Sequence, residues 1–165
     1  LGRNGTGKST LLRIAVGWTA PDSGSVFLDG AALPRAALPA LARRGVCFWP
    51  DEGLLAAAFP VGRQLTFFAR QFPGGDVDAA VARMDVGALL ARRPPALSGG
   101  ERRRADLAAV LVRRPRCLVA DEPYRGVAPR DAERLTAAFR ALAADGCAVV
   151  VTGHDAPTLL AAAFR

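Results

Sequence analysis

The chain has 165 residues, 51% of them hydrophobic, and a formal charge of +7 from 22 basic and 15 acidic side chains. That size allows one domain with a real core, and no apolar run approaches the roughly 20 residues of a membrane-spanning helix. Cys47, Cys117 and Cys147 are far apart, with no CxxC or Cys/His cluster, which argues against a disulfide frame or metal site and for free thiols in apolar strands. The basic excess sits in scattered clusters such as Arg102, Arg103 and Arg104. Nucleic-acid binding would want it on one face with aromatics between, so a solvated surface is the reading here.

GRNGTGKST, residues 2–10, satisfies G-x-x-x-x-G-K-[ST] through Gly2, Gly7, Lys8 and Ser9. Glycines let successive backbone N–H groups curl around a diphosphate, and the following helix aims its positive end at the same anion. Lys8, the only lysine of the chain, is placed to reach the terminal phosphates, and the Ser9 hydroxyl to ligate Mg²⁺. Leu11, Leu12, Ile14, Ala15 and Trp18 continue with helical spacing. A phosphate loop normally follows a buried strand, yet only Leu1 precedes this one. Residues 158–165 end in an apolar run, so the chain is expected to be an internal piece of a larger domain.

PDSG (21–24) reads as a turn, SVFLDG (25–30) as a short strand and GVCFWP (45–50) as a buried strand closed by Pro50. Residues 54–96 break the alternation and read as an inserted, mostly helical subdomain, with Val77, Ala80, Val81, Met84 and Leu89 on one face. RCLVADEP (116–123) is an apolar strand ending in two acids. Ala132, Leu135, Phe139 and Leu142 line one face of a helix, and CAVVVTGH (147–154) is a further buried strand. Apolar strands separated by amphipathic helices predict an α/β fold, a mostly parallel sheet flanked by helices. Trp18, Trp49 and the phenylalanines are expected in the core.

Asp121 lies at the carboxyl end of its strand, where an α/β fold places ligand groups, and can hold Mg²⁺ through water. Glu122 beside it can polarise an attacking water. LSGGE (97–101) contains a capping box, Ser98 with Glu101, that starts a helix through Val112. Gly99 and Gly100 leave that helix end bare enough to approach a second phosphate.

Together these motifs resemble the ATP-binding cassette family. GRNGTGKST is similar to its Walker A motif, LSGGE to its signature, CLVADE to Walker B, GVAP (126–129) to the loop that follows, and His154 to its switch histidine. The resemblance covers essentially the whole chain, with residues 97–112 as the signature helix. It implies a P-loop NTPase fold and ATP with Mg²⁺ as ligands, bound by Gly2, Asn4, Gly5, Gly7, Lys8, Ser9 and Thr10. Glu122 is then the general base, His154 a γ-phosphate contact, and Ser9 and Asp121 serve the metal. It further implies a head-to-tail dimer, homo- or heteromeric, in which Ser98, Gly99, Gly100 and Glu101 close on ATP bound to the partner. The expected protein is a bacterial transporter ATPase subunit at the inner face of the cell membrane, driving a separate permease.

Two positions depart from that pattern. Where the family carries a glutamine after the strand equivalent to GVCFWP, this chain offers Asp51, or Glu52 in a shifted register. Asp51 can face Mg²⁺ but cannot donate amide hydrogen bonds, and its charge is expected to repel the γ-phosphate. Ala128 replaces the aspartate of the loop after Walker B, which weakens coupling across the dimer. These departures keep alive a regulatory cassette with little turnover. A non-transport cassette of translation is the other alternative; the repair type, with a long insertion before the signature, finds no room in residues 11–96.

Overall fold

The computed structural model describes residues 5–28, 30–33, 38–72 and 74–153. In chain order it forms α1 (Lys8–Ala15), a hairpin of β1 (Phe27–Leu28) and β2 (Ala31–Ala32), α2 (Leu38–Arg43), β3 (Val46–Trp49), α3 (Val61–Gln71) and α4 (Val77–Met84). After two single-turn 3₁₀ segments come α5 (Gly99–Arg113), β4 (Cys117–Ala120), α6 (Pro129–Ala144) and β5 (Ala148–Val151). β3, β4 and β5 pair in that order, all parallel. Parallel neighbours need a long crossover, which α3, α4 and α5 supply between β3 and β4, and α6 between β4 and β5.

Alternation along the strands splits the core into two layers. Cys47, Trp49, Leu118 and Ala120 face the larger cluster, packed with α5 and α6; Val46, Phe48 and Val119 face Leu12, Val16 and Leu41 of α1 and α2. β3 is therefore buried at every residue, the reason GVCFWP shows no polar alternation. Leu135, Ala138, Phe139 and Leu142 of α6 recur at helical spacing and are buried. Removing each such large side chain from water contributes roughly 1.5–3 kcal/mol.

Several expectations change. The strand expected over residues 25–30 is only the first arm of a hairpin, turned back near Gly30 at φ +77°. α2 has no counterpart in the sequence reading. β5, expected to be buried, is half-exposed, with Val150 at 45%. α1 and α2 cover β3 and β4 on that face, and among the described residues nothing reaches β5 there. Trp49 is fully buried, but Trp18, Phe27, Phe59 and Phe67 are exposed. Trp18 makes an edge contact on Phe48, ring centroids 5.4 Å apart. The cysteines are free; burial pushes the Cys47 thiol up to about 11.

α5 runs through the middle of the molecule, against α3 and α4 on one side and β3 and α6 on the other. Its residues from Ala105 to Val110 are buried all round. Among them is a charge-bearing side chain, Asp106, fully inaccessible. One of its oxygens accepts backbone hydrogen bonds from Leu54 (2.9 Å) and Leu55 (3.0 Å). Burial raises its carboxyl above the ordinary range. Arg102 adds a bond of 2.7 Å to the Glu52 carbonyl, so one helix face grips residues 52–55. Asp106→Ala removes the acceptor of the Leu54 and Leu55 amides, the second of them buried, and is expected to lower unfolding stability by about 2 kcal/mol. Urea titration of Asp106→Ala and Asp106→Asn checks this, with Asn recovering part of the loss because its carbonyl still accepts.

Candidate active site

Gly7 is the N-cap of α1 and sits at φ +82° in the left-handed region; no side chain caps the helix and no acid lies in its first turn. Gly5 is left-handed as well, at φ +81°. A Cβ at either glycine meets nothing within 4 Å, so it is backbone conformation, not crowding, that calls for glycine here. The uncapped helix end opens on a cavity of about 390 Å³ lined by Gly5, Thr6, Gly7, Lys8, Ser9, Thr10, Asp51, Glu122 and Arg125. The amino end of a helix carries a partial positive charge, so the cavity floor is built for an anion.

The opposite wall is the carboxyl end of β4. The Asp121 amide donates to the Trp49 carbonyl at 2.8 Å, extending the β3–β4 ladder by one residue. Its side chain is 1% exposed, and the Thr152 hydroxyl donates to one carboxylate oxygen at 2.6 Å. The second oxygen is buried without a hydrogen-bond partner among the described residues. An orphaned buried carboxylate oxygen is costly, and a hard cation or its water shell is the partner its chemistry fits. No group of three His, Cys, Asp or Glu among the described residues could hold a metal alone. Mg²⁺ in phosphate sites is generally carried by phosphates and water with one or two protein oxygens.

Glu122 turns out of the strand at φ +50°, a left-handed conformation rarely taken by a residue with a side chain. Its amide donates to the Thr152 hydroxyl at 3.3 Å. The turn delivers its side chain to the cavity wall.

Asp51 also lines the cavity, but not as the isolated negative charge the sequence suggests. Arg103 donates to one of its oxygens at 2.9 Å and Arg125 to the other. Two guanidiniums offset the carboxylate, so the expected repulsion of a γ-phosphate is largely neutralised within the protein. Glu52 is turned away to Arg13 of α1, at 2.7 Å.

The signature segment is elsewhere on the surface. Ser98 caps α5, with the Glu101 amide donating to its hydroxyl at 3.3 Å and its own amide donating to the Glu101 carboxylate at 2.8 Å. That backbone bond, with Arg92 at 3.1 Å, holds the Glu101 carboxyl below its ordinary range. Ser98 and Gly99 are exposed. At Gly100 a Cβ would run into the Asp131 carboxylate, so any larger residue there requires that side chain to move. Ala128 is the N-cap of α6 and makes no side-chain capping bond.

The structure thus brings Gly5, Gly7, Lys8, Ser9, Thr10, Asp51 and Glu122 to one cavity; Asp121, buried next to Glu122 in the chain, is not one of its lining residues. Gly2, Asn4 and His154 lie outside the described residues. Thr152, Arg103, Arg125 and Asp106 were missed. Thr152 was the most accessible of these, because Ala120 is opposite Val151 in the parallel register, which puts the next residues, Asp121 and Thr152, side by side.

No helix among the described residues is long and apolar enough to cross a membrane. The chain is 39% identical to the Nod factor export ATP-binding protein I of Paraburkholderia xenovorans, covering 93% of this chain and 52% of that protein. It is 38% identical to the hemin import ATP-binding protein HmuV of Bordetella pertussis, covering 94% of this chain and 65% of that protein. The chain spans about half the length of the curated relatives it matches. Its fold superposes with a TM-score of 0.82 on a structure described as a dimeric post-hydrolysis state of the ATP-binding cassette MJ0796 bound to ADP and Pi; identity is 22%, over 95% of this chain and 74% of that one. That likeness speaks for the fold. The model of the family described as ABC transporter matches residues 1–125, and on that match, with the cassette fold and the phosphate cavity, this chain belongs to the ABC transporter family.

Proposed function

We propose that the protein binds ATP with Mg²⁺ and hydrolyses it as the nucleotide-binding subunit of a transporter, powering a separate membrane permease. The observation that carries this is the meeting of Lys8 and Ser9 with Glu122 across one cavity, next in the chain to Asp121, one of whose buried carboxylate oxygens has no hydrogen-bond partner among the described residues. Lys8 and the α1 amides hold phosphates, and Ser9 and Asp121 serve the metal. Glu122 takes the proton of the attacking water. Mg²⁺, when bound, neutralises charge that develops on the phosphoryl oxygens.

The signature belongs in this reading to a second cassette. Ser98 and Gly99 are exposed at the start of a 15-residue helix, a fit for a phosphate held by another copy. Residues 54–96 form the helical subdomain. It presents exposed Phe59 and Phe67 in a groove with Phe68 and with Leu54, part of the loop that leaves β3 through Asp51, and a permease segment seated there acts on that loop. The protein therefore works on the cytoplasmic face of the cell membrane. Size-exclusion chromatography of full-length Glu122→Gln tests the dimer. ATP is expected to shift it to twice the monomer mass, and a monomer at saturating ATP counts against the reading.

A further inference from the structure

Arg125 stands in the phosphate cavity, and nothing in the reaction above uses it. We propose that Arg125 is a contact for the terminal phosphate of a nucleotide in its own chain's cavity, held in place beforehand by Asp51. The inference rests on the ATP reading and names a residue that reads the third phosphate.

The anchor is a built one. Asp51 is fixed by Arg103 at 2.9 Å, and the Arg103 side chain is only 10% exposed. Its guanidinium also lies 5.8 Å from the centroid of the buried Trp49 ring. Arg125, in contrast, is 63% exposed at the cavity mouth, and among the described residues Asp51 is its ion-pair partner. Its backbone is held, because its amide donates to the Glu122 carbonyl at 3.0 Å and the next turn closes from Val127 to Tyr124 at 3.2 Å. A fixed backbone with a solvent-exposed guanidinium can exchange one oxyanion for another.

Charge balance favours that exchange. Lys8 is the sole lysine, and the cavity also carries the Glu122 and Asp51 carboxylates. A triphosphate brings more negative charge than Lys8 offsets. Arginine presents five donors in a planar fork that matches phosphate oxygens. When the guanidinium engages phosphate, Asp51 keeps Arg103, so no buried charge is left alone. The α1 amides lie on one side of the cavity and Arg125 follows Glu122 on the other. The third phosphate, which a diphosphate lacks, is the one that comes between them.

Equilibrium binding of a non-hydrolysable ATP analogue and of ADP to the full-length protein tests this. Arg125→Ala is expected to weaken the triphosphate about 10-fold, the lower end for a charged hydrogen bond at an exposed side chain, and to change ADP affinity less than twofold. Arg125→Lys should recover part of the loss, and Asp51→Asn should lose part of the same discrimination. Equal weakening of both nucleotides, or of neither, overturns the proposal. Lys8→Ala run beside them separates the two readings, since unchanged binding there would sink the nucleotide site itself.

Discussion

Glu122→Gln in the full-length protein is expected to bind ATP as the parent does and to lose roughly 10²–10⁴-fold in turnover, the usual contribution of a positioned general base. Glutamine has the shape of glutamate, so the left-handed turn at φ +50° and the amide bond to Thr152 remain. What disappears is the ability to accept a proton. Steady-state phosphate release beside equilibrium ATP binding is the measurement. A parent-like rate in the mutant shows that Glu122 is not the base.

Lys8→Ala is expected to weaken ATP binding about 30- to 1,000-fold, the range for removing one member of a desolvated charge pair. The magnitude follows from the cavity. No other lysine exists in the chain, and Arg125, reaching the terminal phosphate from the Glu122 side, does not take over the contacts that Lys8 makes from α1. Arginine side chains elsewhere are committed: Arg103 to Asp51, Arg102 to the Glu52 carbonyl, and Arg13 to the Glu52 carboxylate. Isothermal titration of parent and mutant with Mg-ATP gives the ratio. Circular dichroism guards against misfolding, which is not expected because Lys8 opens a helix at the surface of the cavity.

The parts of the fold legible in the sequence were those with a local physical signature. β3 and β4 announce themselves as apolar runs, since both of their faces are covered. α6 shows in the spacing of Leu135, Phe139 and Leu142, and the cap of α5 in Ser98 and Glu101. β5 has the same apolar look as β4, yet its outer face is bare among the described residues. Composition reports what a strand can bury, not how far its neighbours extend over it. Two-residue β-strands and a six-residue α2 carry too few positions for a period to emerge.

The site divides in the same way. Lys8, Ser9, Asp121 and Glu122 are read from contiguous motifs. The state of Asp51 is not, because the arginines that neutralise it come from positions 52 and 74 residues away. Seen alone, Asp51 is a negative charge beside a phosphate; seen in the fold, it is the anchor of a cationic cluster. Asp106 escaped notice for a similar reason. An aspartate in a helix reads as a solvent-facing residue, and only the approach of Leu54 and Leu55 gives it a buried role. Glu101 shows the reverse: its local capping bonds account for it inside its own chain, and Arg92 engages the rest of the carboxylate.

The central claim is that Lys8, Ser9, Asp121 and Glu122 make one site that turns ATP over. Single-turnover phosphate release from the full-length protein, with enzyme in excess over radiolabelled Mg-ATP, tests it most directly. The account predicts complete conversion of bound ATP to ADP and phosphate, abolished by chelating Mg²⁺ and slowed at least 100-fold in Glu122→Gln. ATP that stays bound and intact in the parent protein would contradict it, and would make the chain a cassette that senses nucleotide without consuming it.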